Sequence, residues 1–340
     1  MPELKLYTVA QIREWLVNNK LAEGLSEQVI APTRAWAIIH NPYVKDDDAI
    51  VAAIFEDGQL AAYTASFPEM IEGKRIWWCS TLYCYPQFAG RGYGMIVVGS
   101  LMEAHEPDLT YDRWGVPETV EIFNSLGAKT TYTSRYHLSD GKIDTSSLKG
   151  KIAYCAQELK KCIHPWPKAS NADYTIQYTS TIDDEVYAFM KAHCGNNLWL
   201  REQDMLNWIV TYPFVKAGKS EKACVFGADA KVYEYKVVKV YSQRVLIGIY
   251  MLRMTDDVLS VVYIYDLEES RRLVFASIVD QIIALCSRSF VTENSDLLAY
   301  VRDRLYFPKL REEKVSLSLP DNQQVLTNFT LQFGDGDSFA

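Results

Sequence analysis

The 340-residue sequence has no excess of basic residues, no cysteine pair at metal-binding spacing and no apolar run long enough to cross a membrane. Its formal net charge of −8 and pI near 5.3 argue against nucleic acid or an anionic membrane as a partner. The seven cysteines are an odd number without a C-x-x-C pair, which disfavours a disulfide framework and a zinc site. The first residues lack the charged and apolar segments of a secretory signal, so we expect a cytoplasmic protein.

The sequence also lacks the motifs of metal-dependent enzymes, of serine hydrolases with a catalytic triad and of P-loop nucleotide-binding proteins. The five histidines show no i, i+4 pairing, so we expect no metal site. Neither a G-x-S-x-G motif nor a P-loop stands out. The acidic residues are concentrated in residues 1–140, where 11 Lys and Arg stand against 18 Asp and Glu. Such a surface suits a cationic, amine-bearing partner, and solubility alone also explains it.

The composition, with 49% apolar and 23% charged residues, is that of a globular chain. Strand-like and helix-like segments follow one order in residues 1–140, and the same order recurs in residues 173–320. Residues 141–172 are polar and carry Gly, Ser and Pro, which is typical of a linker. Residues 321–340 form a tail rich in Gly and Asp, which we expect to be loosely ordered. The predicted fold class is α/β, with a twisted, mostly antiparallel mixed sheet flanked by helices in each of two domains.

Local signals predict several helix boundaries. Pro117 suits the first turn of a short helix and Gly127 suits its C-terminal end. Thr181 is the expected N-cap of a later helix, and Pro32 is expected to interrupt a helical region.

A glycine-rich stretch, "AGRGYG" at residues 89–94, follows an apolar strand and precedes an apolar helix. Glycines in this context let backbone N–H groups at a helix start approach an anion such as a phosphate. A tight turn that packs the helix against the sheet explains the same pattern, and the spacing matches neither a P-loop nor a dinucleotide loop. The loop alone therefore leaves both interpretations open.

The neighbourhood of the loop carries a resemblance. The segment "TLYCYPQFAGRGYGMIVVGSLME" resembles motif A of the GNAT superfamily of acyl-CoA N-acyltransferases, in which an apolar strand passes through Pro and a glycine loop into a helix. About 35 residues later, "VEIFNSLGAK" is similar to the family's later helix, which ends in Gly before the last strand. The resemblance covers roughly residues 1–140, and the repeated order of elements implies a second, degenerate copy.

The resemblance implies an acyl-CoA donor, with its pyrophosphate on the N–H groups of residues 90–95 and its pantetheine arm beside residues 82–84. The same backbone accommodates the pantetheine of an acyl carrier protein. The acceptor would be a small-molecule or peptide amine, or a hydroxyl, and the acyl group an acetyl. The residues assigned to the donor are Leu82, Cys84, Ala89, Gly90, Arg91, Gly92, Tyr93, Gly94 and Met95.

The sequence departs from the family at the residues that move protons. The family's usual acid, a tyrosine of the later helix, corresponds to Phe123, and a frequent Asn corresponds to Val116. Neither Phe nor Val can transfer a proton. By strand order the remaining candidates are Tyr83, Tyr111 and Asp112, of which Asp112 also has the structural alternatives of capping the later helix or pairing with Arg113.

The second copy lacks the glycine loop, because "YIYDLEESRRLVF" contains no glycine where the loop should stand. We expect it to keep the fold without the donor site and either to wall the acceptor cleft or to stabilise the first copy. Three functions stay open: an acyl-CoA-dependent acyltransferase, an aminoacyl-tRNA-dependent peptidyl transferase, and a non-catalytic module that binds CoA or a partner. The acidic composition counts against tRNA.

Overall fold

The computed structural model describes residues 1–336 apart from residues 21, 72, 142–145, 164–165, 167–172, 196–199, 216, 219–223, 227–229, 286 and 321–330. The first half contains β1 (Glu3–Thr8), α1 (Val9–Asn18), α2 (Pro32–Ile39), β2 (Ala49–Glu56), β3 (Gln59–Ile71), β4 (Lys74–Cys84), α3 (Tyr93–His105), β5 (Leu109–Arg113), α4 (Pro117–Ser125) and β6 (Ala128–Ser139). Helix α5 (Leu148–Ile163) lies in the predicted linker. The second half contains β7 (Thr175–Thr179), α6 (Asp184–Ala192), α7 (Gln203–Thr211), β8 (Tyr233–Ser242), β9 (Val245–Thr255), β10 (Val258–Asp266), α8 (Arg271–Ala284), β11 (Ser289–Thr292), α9 (Ser295–Arg304) and β12 (Lys309–Pro320).

Most helix boundaries follow from local capping chemistry. Pro117 opens α4, and Gly127 follows its end with a φ of +88°, as the sequence predicts. Two details of the prediction are wrong. Pro32 begins α2 instead of interrupting a longer helix, since the first turn needs no N–H from that residue. The N-cap of α6 is Asp183, whose carboxylate accepts from the N–H of Val186 at 2.8 Å, whereas Thr181 lies before the cap.

Among the described residues, twelve strands form one continuous sheet in the order β1-β2-β3-β4-β5-β12-β6-β11-β10-β9-β8-β7. Neighbouring strands are antiparallel except for β4 with β5 and β10 with β11, which are parallel. Those two parallel pairs occupy equivalent positions in the two halves, which confirms the predicted repeat of one topology. The sheet is therefore mixed and mostly antiparallel, as expected.

The two halves exchange their closing strands. Strand β12, from the end of the second half, lies between β5 and β6 of the first half, and β6 in turn pairs with β11 of the second half. At the centre, β6 and β12 pair antiparallel over twelve residues, from Lys309 opposite Ser139 to Pro320 opposite Ala128. Backbone hydrogen bonds thus join both halves into one sheet, a connection that the sequence does not predict.

Helices cover both faces of the sheet, and alternate strand residues supply the two cores. On β2, Val51 and Ala53 face α1 and α2, whereas Ala52 and Ile54 face α3. Helix α7 belongs to the second half but packs mainly on the first, with Met205, Trp208 and Ile209 in the core beneath α1 and α2. The indole N–H of Trp208 donates to the carbonyl of Ala37 in α2 at 2.7 Å. The second half thereby forms part of the wall on this face of the first half.

Candidate functional site

The glycine loop connects β4 to α3 through a short 3-10 turn at Pro86–Phe88. Gly90 and Gly92 have φ angles of +77° and +75°, a conformation that residues with a Cβ rarely adopt. No heavy atom lies within 4 Å of the position that a Cβ would take at either residue. The backbone of the loop therefore faces open space.

Gly94 serves a different purpose from the other two glycines. A Cβ at Gly94 would lie 3.0 Å from Cδ1 of Ile122 and 3.2 Å from Sγ of Cys84, so this glycine lets α3 pack closely against β4 and α4. The N–H of Gly94 donates to the thiol of Cys84, and burial raises the pKa of that thiol. Gly94 therefore fits the interpretation of a turn that packs the helix against the sheet, whereas Gly90 and Gly92 leave the backbone of the loop open.

A cavity of about 320 Å³ lies between the glycine loop and α4. Gly92 is the N-cap of α3 and no described side chain caps this helix end, while the N–H of Ile96 donates to the carbonyl of Gly92 at 3.1 Å. The N–H groups of the first turn and the positive end of the helix dipole can therefore receive an anion. The residues that line the cavity are Cys84, Phe88, Ala89, Gly90, Gly92, Tyr93, Gly94, Met95, Glu118, Glu121, Ile122 and Ser125.

The charged side chains near this cavity are mostly acidic. Arg91 forms an ion pair with Glu56, and the hydroxyl of Tyr93 donates to the same carboxylate at 2.9 Å. The charge of Arg91 is thus shared with an acid at the β2–β3 hairpin. Glu118 and Glu121 of α4 line the cavity and are exposed to solvent. The backbone of the loop is consequently the main element of this site that favours an anion.

Strand β4 has an edge without a strand partner that leads into the loop. Its parallel pairing with β5 runs from Ile76 opposite Leu109 to Cys79 opposite Asp112 and stops there. At this point Ser80 forms a bulge, because Ala65 and Ser66 of β3 face Thr81 and Cys79. The described strands supply no partner for residues 80–84 on the side of β5, so their backbone can pair with an extended ligand.

Two residues shape the point where β4 and β5 separate. From α2, Arg34 donates to the carbonyl of Ser80 at 3.0 Å and to its hydroxyl at 2.8 Å, which holds the bulge in place. Directly after β5, Trp114 has a φ of +68° and its N–H donates to the carbonyl of Ser316 in β12. The exchanged strand β12 therefore helps to hold the end of β5 away from β4.

The three proton-transfer candidates do not converge. Tyr83 is half-buried on the unpaired part of β4. The ring of Tyr111 is buried against Trp78, with 5.6 Å between ring centroids. Asp112 is the next residue on β5 and so faces the opposite side of the sheet, where its carboxylate lies close to Gly115 before α4.

Phe123 is fully buried against Cys79 and Val98, and Val116 is exposed before α4. Leu82 and Cys84 face α3, on the side of the sheet opposite to Tyr83. The backbone edge and the glycine loop therefore bring the assigned donor residues together, whereas the residues assigned to proton transfer lie on both faces.

An aromatic cluster on the α2 side of β4 combines residues from both halves. Tyr83 lies 6.2 Å from Tyr63, 5.1 Å from Tyr85 and 6.1 Å from Phe226 between ring centroids. Cys224 contacts the hydroxyl of Tyr63 at 3.7 Å. Burial raises the pKa of both Tyr63 and Tyr85, so these phenols stay neutral at physiological pH. Sequence reasoning missed Tyr63, Cys224, Phe226 and Arg34, which belong to distant segments without a shared local motif.

The equivalent position in the second half is built differently. A 3-10 turn at Glu268–Ser270 leads directly into α8, and no residue with positive φ separates them. The N–H of Ser270 donates to the carbonyl of Leu267, and Arg271 pairs with Asp266 at 3.0 Å. The second half therefore lacks the additional glycine-containing turn that separates the 3-10 turn from the helix in the first half.

These features define the class of fold: two GNAT folds in tandem, with an open glycine loop in the first. Comparison with protein-family models gives no match, and a search of curated protein sequences gives none either. Solved structures do match over nearly the whole chain, and the predicted tandem GNAT fold is confirmed.

The chain is similar to a putative acetyltransferase from Pyrococcus horikoshii, with a TM-score of 0.53, 10% identity and coverage of 98% of this chain and 93% of the other. It is similar to N-myristoyltransferase from Saccharomyces cerevisiae with bound myristoyl-CoA, with a TM-score of 0.53, 11% identity and coverage of 94% and 79%. It is also similar to a tandem GNAT protein from the clavulanic acid biosynthesis pathway, with a TM-score of 0.51, 12% identity and coverage of 95% and 100%. At such identities the likeness concerns the fold.

Two further observations concern the described part of the chain. No three His, Cys, Asp or Glu side chains there come together in an arrangement that can hold a metal ion. No helix in the same residues has the length and apolarity needed to cross a membrane.

Proposed function

We propose that the chain transfers an acyl group from acyl-CoA to an amine or hydroxyl acceptor, with the donor bound in the first half. The observation that carries this proposal is the unpaired edge of β4, which runs directly into the open loop at Gly90 and Gly92. A strand edge followed by free helix N–H groups offers hydrogen bonds to a chain of amides and then to phosphates. Acyl-CoA has its pantetheine amides and pyrophosphate in that order.

Backbone groups bind the donor in this proposal, and the side chain of Arg34 holds the strand bulge in position. The N–H groups of residues 90–95 hold the pyrophosphate, and the backbone of residues 80–84 holds the pantetheine amides. A strand N–H at the Ser80 bulge, which Arg34 fixes from α2, stabilises the oxyanion that forms when the thioester is attacked. The reaction breaks the thioester C–S bond and an N–H or O–H bond of the acceptor, forms a C–N or C–O bond, and releases the CoA thiolate, while the acceptor's proton passes to solvent or to the thiolate.

The acceptor enters from the α2 side, where Tyr83, Tyr85 and Phe226 line the edge of β4. These rings suit an organic amine, and the acidic first half attracts a cationic one. Tyr83 is the one candidate for proton transfer that is both half-exposed and on this face, so we assign proton transfer to its hydroxyl or to a water beside it.

Free acyl-CoA is the preferred donor over an acyl carrier protein. Glu118 and Glu121 line the cavity beside the glycine loop, and the first half carries an excess of acid. Carrier proteins that present an acidic surface would be repelled there, whereas the phosphates of free CoA reach the backbone N–H groups directly.

A thermal-shift titration tests the proposal, with CoA, acetyl-CoA and longer acyl-CoAs compared with buffer alone. Binding at 100 times the dissociation constant stabilises a protein by about 2.7 kcal/mol, so acetyl-CoA should raise the melting temperature. Release of CoA should then follow when a panel of amines is added. Absence of any shift with all the CoA compounds would overturn the proposal.

A second function, a non-catalytic module that binds CoA, is favoured by one observation. Phe123 is fully buried and occupies the position of the family's usual acid. This alternative expects the same thermal shift but no release of CoA with any amine. The titration and the release assay together therefore separate the two functions.

A further inference from the structure

The C-terminal segment Leu331–Gly336 lies buried in the cleft of the second half. Strands β10 and β11 pair in parallel only up to Ser260 opposite Val291. Beyond that point the segment runs beside β10, where the N–H of Gly334 donates to the carbonyl of Val262 at 3.0 Å. The N–H of Ile264 donates to the side-chain oxygen of Gln332 at 2.7 Å. The segment thus supplies the hydrogen bonds that a neighbouring strand would supply.

The position is the counterpart of the unpaired edge of β4 in the first half. In both halves a parallel pair separates after a few residues and leaves an edge that leads toward a helix start. In the first half that edge has no partner among the described strands, and in the second half the chain's own tail is the partner. A polar cavity of about 370 Å³ remains beside it, and Gln332 and Phe333 form part of its lining.

Two glycines adapt the segment to this narrow place. A Cβ at Gly334 would lie 2.4 Å from Cγ1 of Val262 and 2.5 Å from the ring of Tyr263, and no side chain fits in that space. Gly336 has a φ of +69°, and a Cβ there would lie 2.8 Å from the Cβ of Arg113. Between them, Asp335 accepts from the N–H of Gln332 at 2.8 Å and closes a turn.

Arginines from both halves hold the end of the segment. Arg113, the last residue of β5, donates to the carbonyls of Gln332 and Asp335 at 2.7 and 2.9 Å. Arg201, which precedes α7, donates to the carbonyl of Gly336 and pairs with Glu69 of β3. The segment is therefore fixed at both ends by groups that are themselves buried.

We propose that residues 331–336 are an internal ligand of the second half, which fills the groove along β10 and closes it to other extended ligands. The comparison with a pantetheine groove rests on the proposed function, but the occupation of the β10 edge does not. The ligand class of this groove is an extended peptide with glycine at the position of Gly334.

The test compares Gly334→Ala with Gly99→Ala in the full-length chain by hydrogen–deuterium exchange. The nearest atom to a Cβ at Gly99 is 3.9 Å away, so this control adds a methyl group without a clash. We expect the amide of Ile264 to exchange about 10-fold faster in Gly334→Ala and unchanged in the control, because its acceptor is displaced. Equal protection of Ile264 in both variants would overturn the proposal.

A milder variant covers the case in which Gly334→Ala fails to fold. Gln332→Ala removes only the side-chain acceptor of Ile264 and leaves the backbone of the segment in place. It should again speed exchange at Ile264, while the amides of β8 stay protected. Unchanged exchange at Ile264 would contradict the proposal. The outcome does not depend on CoA, so a failed CoA titration with fast exchange would reject the proposed function alone.

Discussion

Arg113 and Glu293 form a buried ion pair across the two halves, with 2.5 Å between Nη2 and Oε2 and side chains that are 0% and 3% exposed. The other oxygen of Glu293 accepts from Nε and Nη2 of Arg135 at 2.9 and 2.7 Å. Arg113 ends β5, Arg135 lies in β6, and Glu293 directly follows β11. One carboxylate therefore connects three strands near the exchange of β6 and β12. Burial lowers the pKa of Arg135 to about 10, so its guanidinium remains charged at neutral pH.

Replacing this carboxylate should destabilise the whole molecule. Glu293→Gln removes the carboxylate that pairs with both buried guanidinium groups, and breaking such a buried pair typically costs about 3–5 kcal/mol. Urea unfolding should show the loss as a lower midpoint. Glu312→Gln, which removes an exposed partner of Lys314 on β12, is the control and should leave the midpoint unchanged. Equal midpoints for Glu293→Gln and wild type would mean that the pair is dispensable.

The glycine loop should be required for CoA binding but not for folding. Gly92→Asp places a carboxylate where the proposed function places a phosphate, so CoA affinity should fall by about 100-fold or more. Gly73→Asp is a matched control: Gly73 also has a φ of +75° and open space around its Cβ position, and it lies at the far end of β4. Calorimetric titration of both variants gives the affinities. Similar CoA affinity in the two variants would remove the loop from the donor site.

Tyr83→Phe tests the residue assigned to proton transfer. Removal of its hydroxyl should lower turnover by about 10²-fold without changing CoA affinity, because the ring packing with Tyr63 and Tyr85 is kept. Tyr111→Phe is the control. Tyr111 is buried against Trp78, so removal of its hydroxyl should leave the turnover rate unchanged. If the turnover rate of Tyr83→Phe is within a factor of about two of wild type, water or another group must carry out the proton transfer.

Phe123→Tyr tests whether the family's usual acid is needed. A CoA thiol has a pKa of about 8.5 and leaves readily as a thiolate, so the added hydroxyl should change turnover by less than about 10²-fold. The same hydroxyl enters a fully buried site and should lower stability by about 1–3 kcal/mol. Phe290→Tyr, in the buried core of the second half, controls for that stability effect. Thiol titration of released CoA between about pH 6 and 9 measures the rates, and a larger gain in Phe123→Tyr would contradict the expectation.

His105 should make stability depend on pH. Its ring stacks on Trp77 at 3.7 Å and its Nε2 lies 2.8 Å from the carbonyl of Ala49. Burial lowers its pKa to about 4, whereas the unfolded chain titrates near ~6.5, so the unfolded state binds the extra proton between these values. The contribution of His105 to the stability of the folded state is complete above about pH 6.5 and is lost as the pH falls toward ~4.

Protonation of His105 should lower the free energy of unfolding by roughly 2 kcal/mol between about pH 7.5 and 5. His105→Phe keeps a stacked ring that does not titrate, so the difference between its urea-unfolding curve and that of wild type isolates this effect. Burial raises the pKa of Glu69 to about 6, which changes stability in the opposite direction, but Glu69 is present in both proteins and cancels. Parallel pH profiles for the two proteins would contradict the assignment.

Local chemistry determines much of what the sequence predicts. Period-two and helical patterns identify the strands and helices in both halves, since each pattern reflects how neighbouring residues of one segment share a face. The opening at Gly90 and Gly92 and the end of α4 at Gly127 follow from the φ angles that only glycine adopts readily. The open glycine loop and the repeated topology can therefore be predicted from residues that are close together in the chain.

The tertiary structure alone decides which distant segments meet. Strand β12 has an ordinary strand pattern, and backbone hydrogen bonds accept any strand as a neighbour, so its place between β5 and β6 has no local signal. The aromatic cluster likewise depends on Phe226 from the second half reaching Tyr83 of the first. The glycines of the tail suggest loose order when the sequence is considered alone. At Gly334 the glycine instead allows close packing against neighbouring side chains. A residue without a side chain permits both backbone flexibility and a close approach to other atoms, so only the surrounding structure determines which of the two occurs.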